Sequence, residues 1–248
     1  MNKLIKKIRD HYCRDIINRL NDIETGIGVL VNSPSYIHDQ EAGFNGVKGR
    51  KIIFQDLLSN YRFSHIIETG TYLGDTSGYM AKTSGIPVLT CEKNESLYSL
   101  AKMRLKKIKS IQLHNMDSRE FFVELSKIPD ITQNECFVYL DAHWGKDLPL
   151  KEEISIIASR WEKFVMMIDD FKVPGDDGYI HDRFGTLKYI NMDRLKTKYN
   201  LCAYFPSMPS SQEEKPPTGC VVLAKNDQYA DGLRKTNSLC LYEKLSIS

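Results

Sequence analysis

The chain has 248 residues, 42% hydrophobic and 27% charged, a balance that suits one folded globular domain and excludes a disordered or fibrous chain. The formal net charge of +2 is too small to make nucleic acid the main partner. No apolar run approaches the ~20 residues of a membrane helix, so an integral membrane protein is not expected.

The six cysteines, Cys13, Cys91, Cys136, Cys202, Cys220 and Cys240, lie far apart, with neither zinc-type pairing nor a disulfide pattern. Residues 1–7 are basic, but no apolar segment follows them, so they do not read as a secretory signal. Both observations point to a reducing, cytoplasmic setting.

In chain order, residues 1–25 are predicted to be helical. Leu4, Ile5, Ile8, Tyr12, Ile16 and Leu20 recur at spacings of three and four, with charged residues between them. Such a helix can pack on its own domain, on a second subunit as in a homo-oligomer, or on a membrane surface. Residues 26–50 are glycine-rich, with Tyr36, His38, Phe44, Asn45 and Arg50 scattered among them. This stretch can close over a ligand or serve as a surface connection. A helix is expected over residues 51–60. Residues 1–60 are thus expected to form an N-terminal helical cap and substrate loop, and residues 61–248 the core of the same single domain.

The core begins with a short apolar run ending in Glu68, then a turn carrying Gly70 and Gly74, and a helix over residues 76–83 with Thr76 placed to cap it. Further strands are predicted at residues 87–92, ending in Glu92, and at 111–114, followed by Asp117. Two more fall at residues 136–141, ending in Asp141, and 164–170, ending in Asp169 and Asp170. Helices are expected between them over residues 96–107, from Ser118 as cap to 125, and from Pro149 to 160. A polar loop at 172–185, a helix over 186–198 and late strands at 201–205 and 220–224 complete the pattern. Strands alternating with helices imply an α/β, doubly wound, mostly parallel sheet.

Ligands in such sheets bind beyond the carboxyl ends of the strands. The acids named above therefore converge on one edge. Carboxylates so gathered repel one another unless a positive or hydrogen-bonding group sits among them. Glu92 can accept two hydrogen bonds from a ribose diol, and Asp117 one from an adenine amino group. Gly70 and Gly74 let the backbone approach a ligand closely. The pattern Glu-x-Gly-x-x-x-Gly lacks the third glycine of a dinucleotide turn, which favours an adenosine ligand with a cationic centre and no phosphates.

The run from Ile67 through Glu68, Thr69, Gly70, Thr71, Tyr72, Leu73 and Gly74, followed by Glu92, Asp117 and Asp141, resembles the motif series of class I S-adenosylmethionine-dependent methyltransferases. The resemblance implies a seven-stranded Rossmann-like sheet whose last hairpin strand runs antiparallel. It implies a cofactor pocket walled by Glu68, Thr69, Gly70, Thr71, Gly74, Thr76 and Asp141. Glu92 would lie on the ribose, with Asp117 and Ser118 near the adenine.

A narrower resemblance lies in Leu140, Asp141, Ala142, His143 and Trp144, and in Ile168, Asp169, Asp170 and Phe171. These are similar to the strand ends of metal-dependent O-methyltransferases, including those acting on macrolide sugars. Carried over, Asp141, Asp169 and Asp170 would hold Mg²⁺. The sequence departs from that pattern at Ala142 and His143, where the sugar enzymes carry Gly and an acid.

The implied reaction is in-line methyl transfer to a hydroxyl oxygen, with Asp141 or His143 accepting its proton. Tyr36, Phe44, Tyr179, His181 and Arg183 are candidate walls for the acceptor, a glycan, another sugar or a different small molecule. Two other readings predict different outcomes. A nicotinamide-dependent oxidoreductase would bind NAD, and a non-catalytic cofactor-binding scaffold would tolerate loss of the acids.

Overall fold

Five short apolar runs form the centre of the molecule. In the computed structural model they are β1 (His65–Thr69), β2 (Val88–Cys91), β3 (Ile111–His114), β4 (Cys136–Leu140) and β5 (Phe164–Ile168). The structure describes residues 43–142, 148–181, 198–214, 216–225 and 228–241. The expected helix over 1–25, most of that over 186–198, and Tyr36, His143 and Arg183 lie outside the described residues.

The five strands are parallel, and three more follow: β6 (Leu201–Pro206), β7 (Val221–Lys225) and β8 (Leu239–Leu241). The spatial order is β3-β2-β1-β4-β5-β7-β6-β8. β7 runs antiparallel to β5, as the resemblance implies. The sheet has eight strands rather than seven. The extra one, β8, pairs with β6 over three residues, too short a run for periodicity to reveal.

β2, β4 and β5 are buried along their whole length, which is why they read as continuous apolar runs and not as alternating ones. Alternate residues serve opposite core layers. Val138 and Leu140 of β4 face Phe121, Phe122, Ile154, Ile157 and Trp161. Phe137 and Tyr139 face Ile53, Phe54, Leu57, Met80 and Leu233. The first layer is built by helices α4 (Ser118–Leu125) and α6 (Leu150–Arg160). The second is built by α1 (Lys48–Asn60), α2 (Asp75–Ser84) and α7 (Asp231–Arg234). Two more helices are α3 (Glu95–Leu105) and α5 (Pro129–Gln133). No helix among them is long and apolar enough to cross a membrane.

Helix starts differ from expectation in instructive ways. Thr76 does not cap α2; the cap is Gly74 in the left-handed region, and the Thr76 hydroxyl instead accepts the Phe44 N–H at 3.0 Å. Ser118 is the first residue of α4, and Asp117 is its cap, accepting the Arg119 N–H at 3.0 Å. α1 has no local side-chain cap. Its first N–H groups, on Lys48 and Gly49, are bound at 3.0 Å by the carboxylate of Glu213, far along the chain.

Candidate active site

The strand order turns back between β1 and β4, so the crevice at their carboxyl ends is the place where such a sheet binds ligands. The chain leaves β1 through a tight turn with positive φ at Gly70 (80°), Tyr72 (51°) and Gly74 (83°). The N–H groups of Gly70 and Thr71 both reach the Cys91 carbonyl, at 3.0 and 3.1 Å. A Cβ on Gly70 would lie 2.3 Å from the Asp141 carbonyl oxygen, so only glycine permits this contact between the loops after β1 and β4.

Beneath the turn, Glu68 is fully buried. One of its oxygens, Oε2, accepts the hydroxyls of Ser77 and of Thr90, the latter at 2.7 Å. The other, Oε1, has no hydrogen-bond partner among the described residues. Burial pushes its carboxyl up to about 7, partly offset by the two hydroxyls. Thr71 and Thr90 join hydroxyls at 2.6 Å.

At the end of β2, Glu92 takes the Tyr72 N–H at 2.9 Å and the Asn94 N–H at 2.8 Å, one on each oxygen. Burial raises its pKa against those backbone bonds. Each oxygen keeps acceptor capacity. Beyond β3, Asp117 is engaged otherwise. Arg119 grips both its oxygens at 2.8 Å, Lys93 adds a bond at 2.9 Å, and together they hold its carboxyl well below the usual range. Ser118 and Thr69 lie beside the buried Glu153 of α6, whose carboxyl burial pushes up to about 7.

On the other side of β1, three carboxylates meet. Ligand oxygens of Asp141, Asp169 and Asp170 all lie within 4.8 Å of one another. Burial, then the charges of Asp169 and Asp170, push the Asp141 carboxyl well above the carboxylate range; Arg50 opposes this. Asp169 is 1% exposed. Its Oδ2 accepts the Arg50 guanidinium and the Tyr139 hydroxyl, the latter at 2.6 Å, with the Asn45 amide at 3.4 Å. Its Oδ1 accepts the Asp170 N–H at 2.7 Å. Asp170 sits at φ 49° with an oxygen 3.8 Å from Arg50.

Arg50 itself is 1% exposed and also donates to the Thr218 carbonyl at 3.2 Å. Burial works most strongly against its charge, but Asp169, Tyr139, Cys220 and Asp170 together outweigh it and raise its pKa. The sequence reading named Arg50 only among the scattered residues of the 26–50 stretch and gave it no place among the acids. A signal existed: converging carboxylates call for a positive group, and Arg50 stands in the glycine-rich stretch just before the core.

A cleft of about 250 Å³ runs along this edge, lined by Asn45, Gly70, Thr71, Tyr72, Thr76 and Asp141 among others. It joins the turn to Asp141, one of the three clustered acids. Phe44 and Tyr179, expected as acceptor walls, do not face it. Phe44 is fully buried against Phe54, Tyr79 and Tyr139, and Tyr179 is buried in the opposite core layer with its hydroxyl on the Met208 carbonyl at 2.8 Å. Both rings are large apolar surfaces that gain more from the core than from a wet cleft. His181 is partly buried, with its ring 3.5 Å from the Tyr179 carbonyl.

No family model matches the chain, and no curated protein matches it. Solved structures do. An O-methyltransferase from Bacillus cereus in complex with SAH superposes with a TM-score of 0.51 at 15% identity, over 83% of this chain and 90% of that one. A putative O-methyltransferase from Klebsiella pneumoniae gives 0.50 at 14% identity, over 77% and 86%. At such identities the likeness is one of fold, and the fold is the Rossmann-like one of class I methyltransferases.

Proposed function

We propose that this chain is an S-adenosylmethionine-dependent O-methyltransferase, acting on a hydroxyl of a sugar, glycan or other small molecule. The observation that carries the reading is a cleft lined by both the glycine turn, whose Tyr72 N–H is held by Glu92, and Asp141, whose acidic neighbours are Asp169 and Asp170. Bound there, S-adenosylmethionine supplies an electrophilic methyl group. Glu92 accepts the two ribose hydroxyls, and the glycine turn lets backbone lie against the ligand.

Asp141, at the far end, is the candidate acceptor for the proton of the attacking hydroxyl, since a carboxylate raised by its surroundings is a stronger base than an exposed one. His143 is the second candidate. Acids at the β4 and β5 ends suit a hydroxylated acceptor, which can donate to them. Asp169, held through Oδ2 by Arg50 and Tyr139, keeps that wall rigid.

The donor set also suits a hard divalent cation, being all oxygen and clustered within 4.8 Å. Asp141, Asp169 and Asp170 would hold Mg²⁺, whose charge would make the acceptor hydroxyl more acidic.

The test is calorimetry. The protein is expected to bind S-adenosylhomocysteine with an affinity on the order of micromolar, and Glu92→Ala to weaken it about 10- to 100-fold. NAD should give no heat. Mg²⁺ added to the complex should give a heat that Asp170→Asn removes. No binding of S-adenosylhomocysteine to the unaltered protein rejects the reading; silence with Mg²⁺ alone rejects only the metal.

A further inference from the structure

We propose that Asn45 binds the amino-acid end of the S-adenosylmethionine-type ligand, held over the cleft by a strained turn. The inference rests on the cofactor reading above.

Three consecutive residues have left-handed backbone: Phe44 at φ 55°, Asn45 at φ 57° and Gly46 at φ 74°. For residues with a Cβ this conformation is unfavourable, above all for an aromatic one, and it persists only where the surroundings over-determine it. Here they do. The Phe44 ring is locked among Phe54, Tyr79 and Tyr139, its N–H is held by Thr76, and its carbonyl accepts the Val47 N–H at 3.0 Å. The strain has a local outcome: Asn45 is exposed, while its neighbours Phe44 and Val47 are buried, and it lines the cleft opposite the glycine turn. Its amide turns one N–H towards Asp169 at 3.4 Å, leaving the carbonyl oxygen and the second N–H for a ligand.

The position along the edge identifies which part of the ligand arrives there. Glu92 ends β2 and Asp141 follows β4, on opposite sides of β1. Neighbouring strands are ~4.8 Å apart, so a ligand with its ribose at Glu92 reaches the Asp141 end of the edge about 10 Å away, across Gly70, where Asn45 lines the same cleft. In S-adenosylmethionine that end is a zwitterion. The negative charge gathered along this edge by Asp141, Asp169 and Asp170 suits the ammonium group. The carboxylate group needs a donor that does not add a second cation beside Arg50, and a neutral amide meets that need.

The experiment compares S-adenosylhomocysteine with 5′-methylthioadenosine, which shares the nucleoside and sulfur but lacks the amino-acid end. Asn45→Gly keeps the left-handed turn accessible and removes only the carboxamide. It is expected to melt like the unaltered protein, to bind S-adenosylhomocysteine about tenfold more weakly, and to bind 5′-methylthioadenosine within about twofold of normal. Asn45→Ala is expected to lose at least as much. If Asn45→Gly binds S-adenosylhomocysteine normally while Asn45→Ala does not, the residue serves only the backbone and the proposal falls. Equal weakening for both ligands overturns it too. Failure of the unaltered protein to bind S-adenosylhomocysteine instead removes the cofactor reading itself.

Discussion

The β2 side and the β5 side of the cleft both end in buried carboxylates, but the two are stabilised by different chemistry. Glu68 and Glu92 rest on neutral donors: two hydroxyls for one, two backbone N–H groups for the other. Their pKa values rise, because neutral donors do not repay the loss of water. Asp169 rests on a full charge, the buried Arg50, together with a tyrosine hydroxyl. Under the proposed function, the neutral half would leave acceptor capacity for a ribose, and the charged half would hold a rigid wall for the acceptor. The neutral half is local in sequence, Glu68 and Ser77 being nine residues apart, whereas Arg50 and Asp169 are separated by 119.

The largest expected effect breaks the charged half. Arg50→Met keeps an apolar stem of similar reach but leaves Asp169 uncompensated. Stability should fall by about 3–5 kcal/mol, read from urea unfolding. Adding Asp169→Asn to the same chain should recover much of the loss. A single-variant loss below about 1 kcal/mol would mean that the two halves do not differ as described.

The neutral half is tested by pH. Glu68 and Glu153 both stand at about 7 in the folded chain against an ordinary 4.5. Between those values the folded chain keeps protons that the unfolded chain has released, so stability falls as pH rises from about 4.5 to about 7 and levels off above. Glu68→Gln should remove its share, about 3 kcal/mol, and so gain on the unaltered protein at pH 8 relative to pH 5. Parallel stability curves for the two would assign the pH dependence elsewhere.

The smallest effect concerns Asp117, which divides its carboxylate between capping α4 and pairing with Arg119 and Lys93. Asp117→Ala should cost about 1 kcal/mol, mostly the cap. Calorimetry on the same variant sharpens the comparison. A further weakening of S-adenosylhomocysteine would show that the acid still reaches the adenine, as the sequence motif suggests.

The strand ends, the sheet class and the glycine turn were legible because each rests on short-range patterning: apolar runs closed by an acid, and glycines where φ must be positive. The antiparallel β7 was legible through resemblance. What escaped needed the third dimension. Thr76 and Ser118 looked like caps because hydroxyls before helices usually are; Phe44 took the first, and Asp117, one residue earlier, took the role of the second. Phe44 and Tyr179 looked like ligand walls because aromatic residues in polar loops often are, yet the core offered them more. Arg50 looked like one more loop cation, since nothing near it in sequence hints at burial.

The anchoring of α1 has a consequence for how the molecule is made. Its first turn is held by Glu213, and its arginine by Asp169 and by Thr218, 168 residues further on. At about 5–20 residues per second, synthesis needs about 8 to 34 s to pass from Arg50 to Thr218. Asp169 itself is made only 119 residues after Arg50, and until then the guanidinium lacks its charged partner. The turn beside Glu92 can close early, while the acidic wall of the cleft, with the strained Asn45 turn that leans on it, is completed only once nearly the whole chain has emerged.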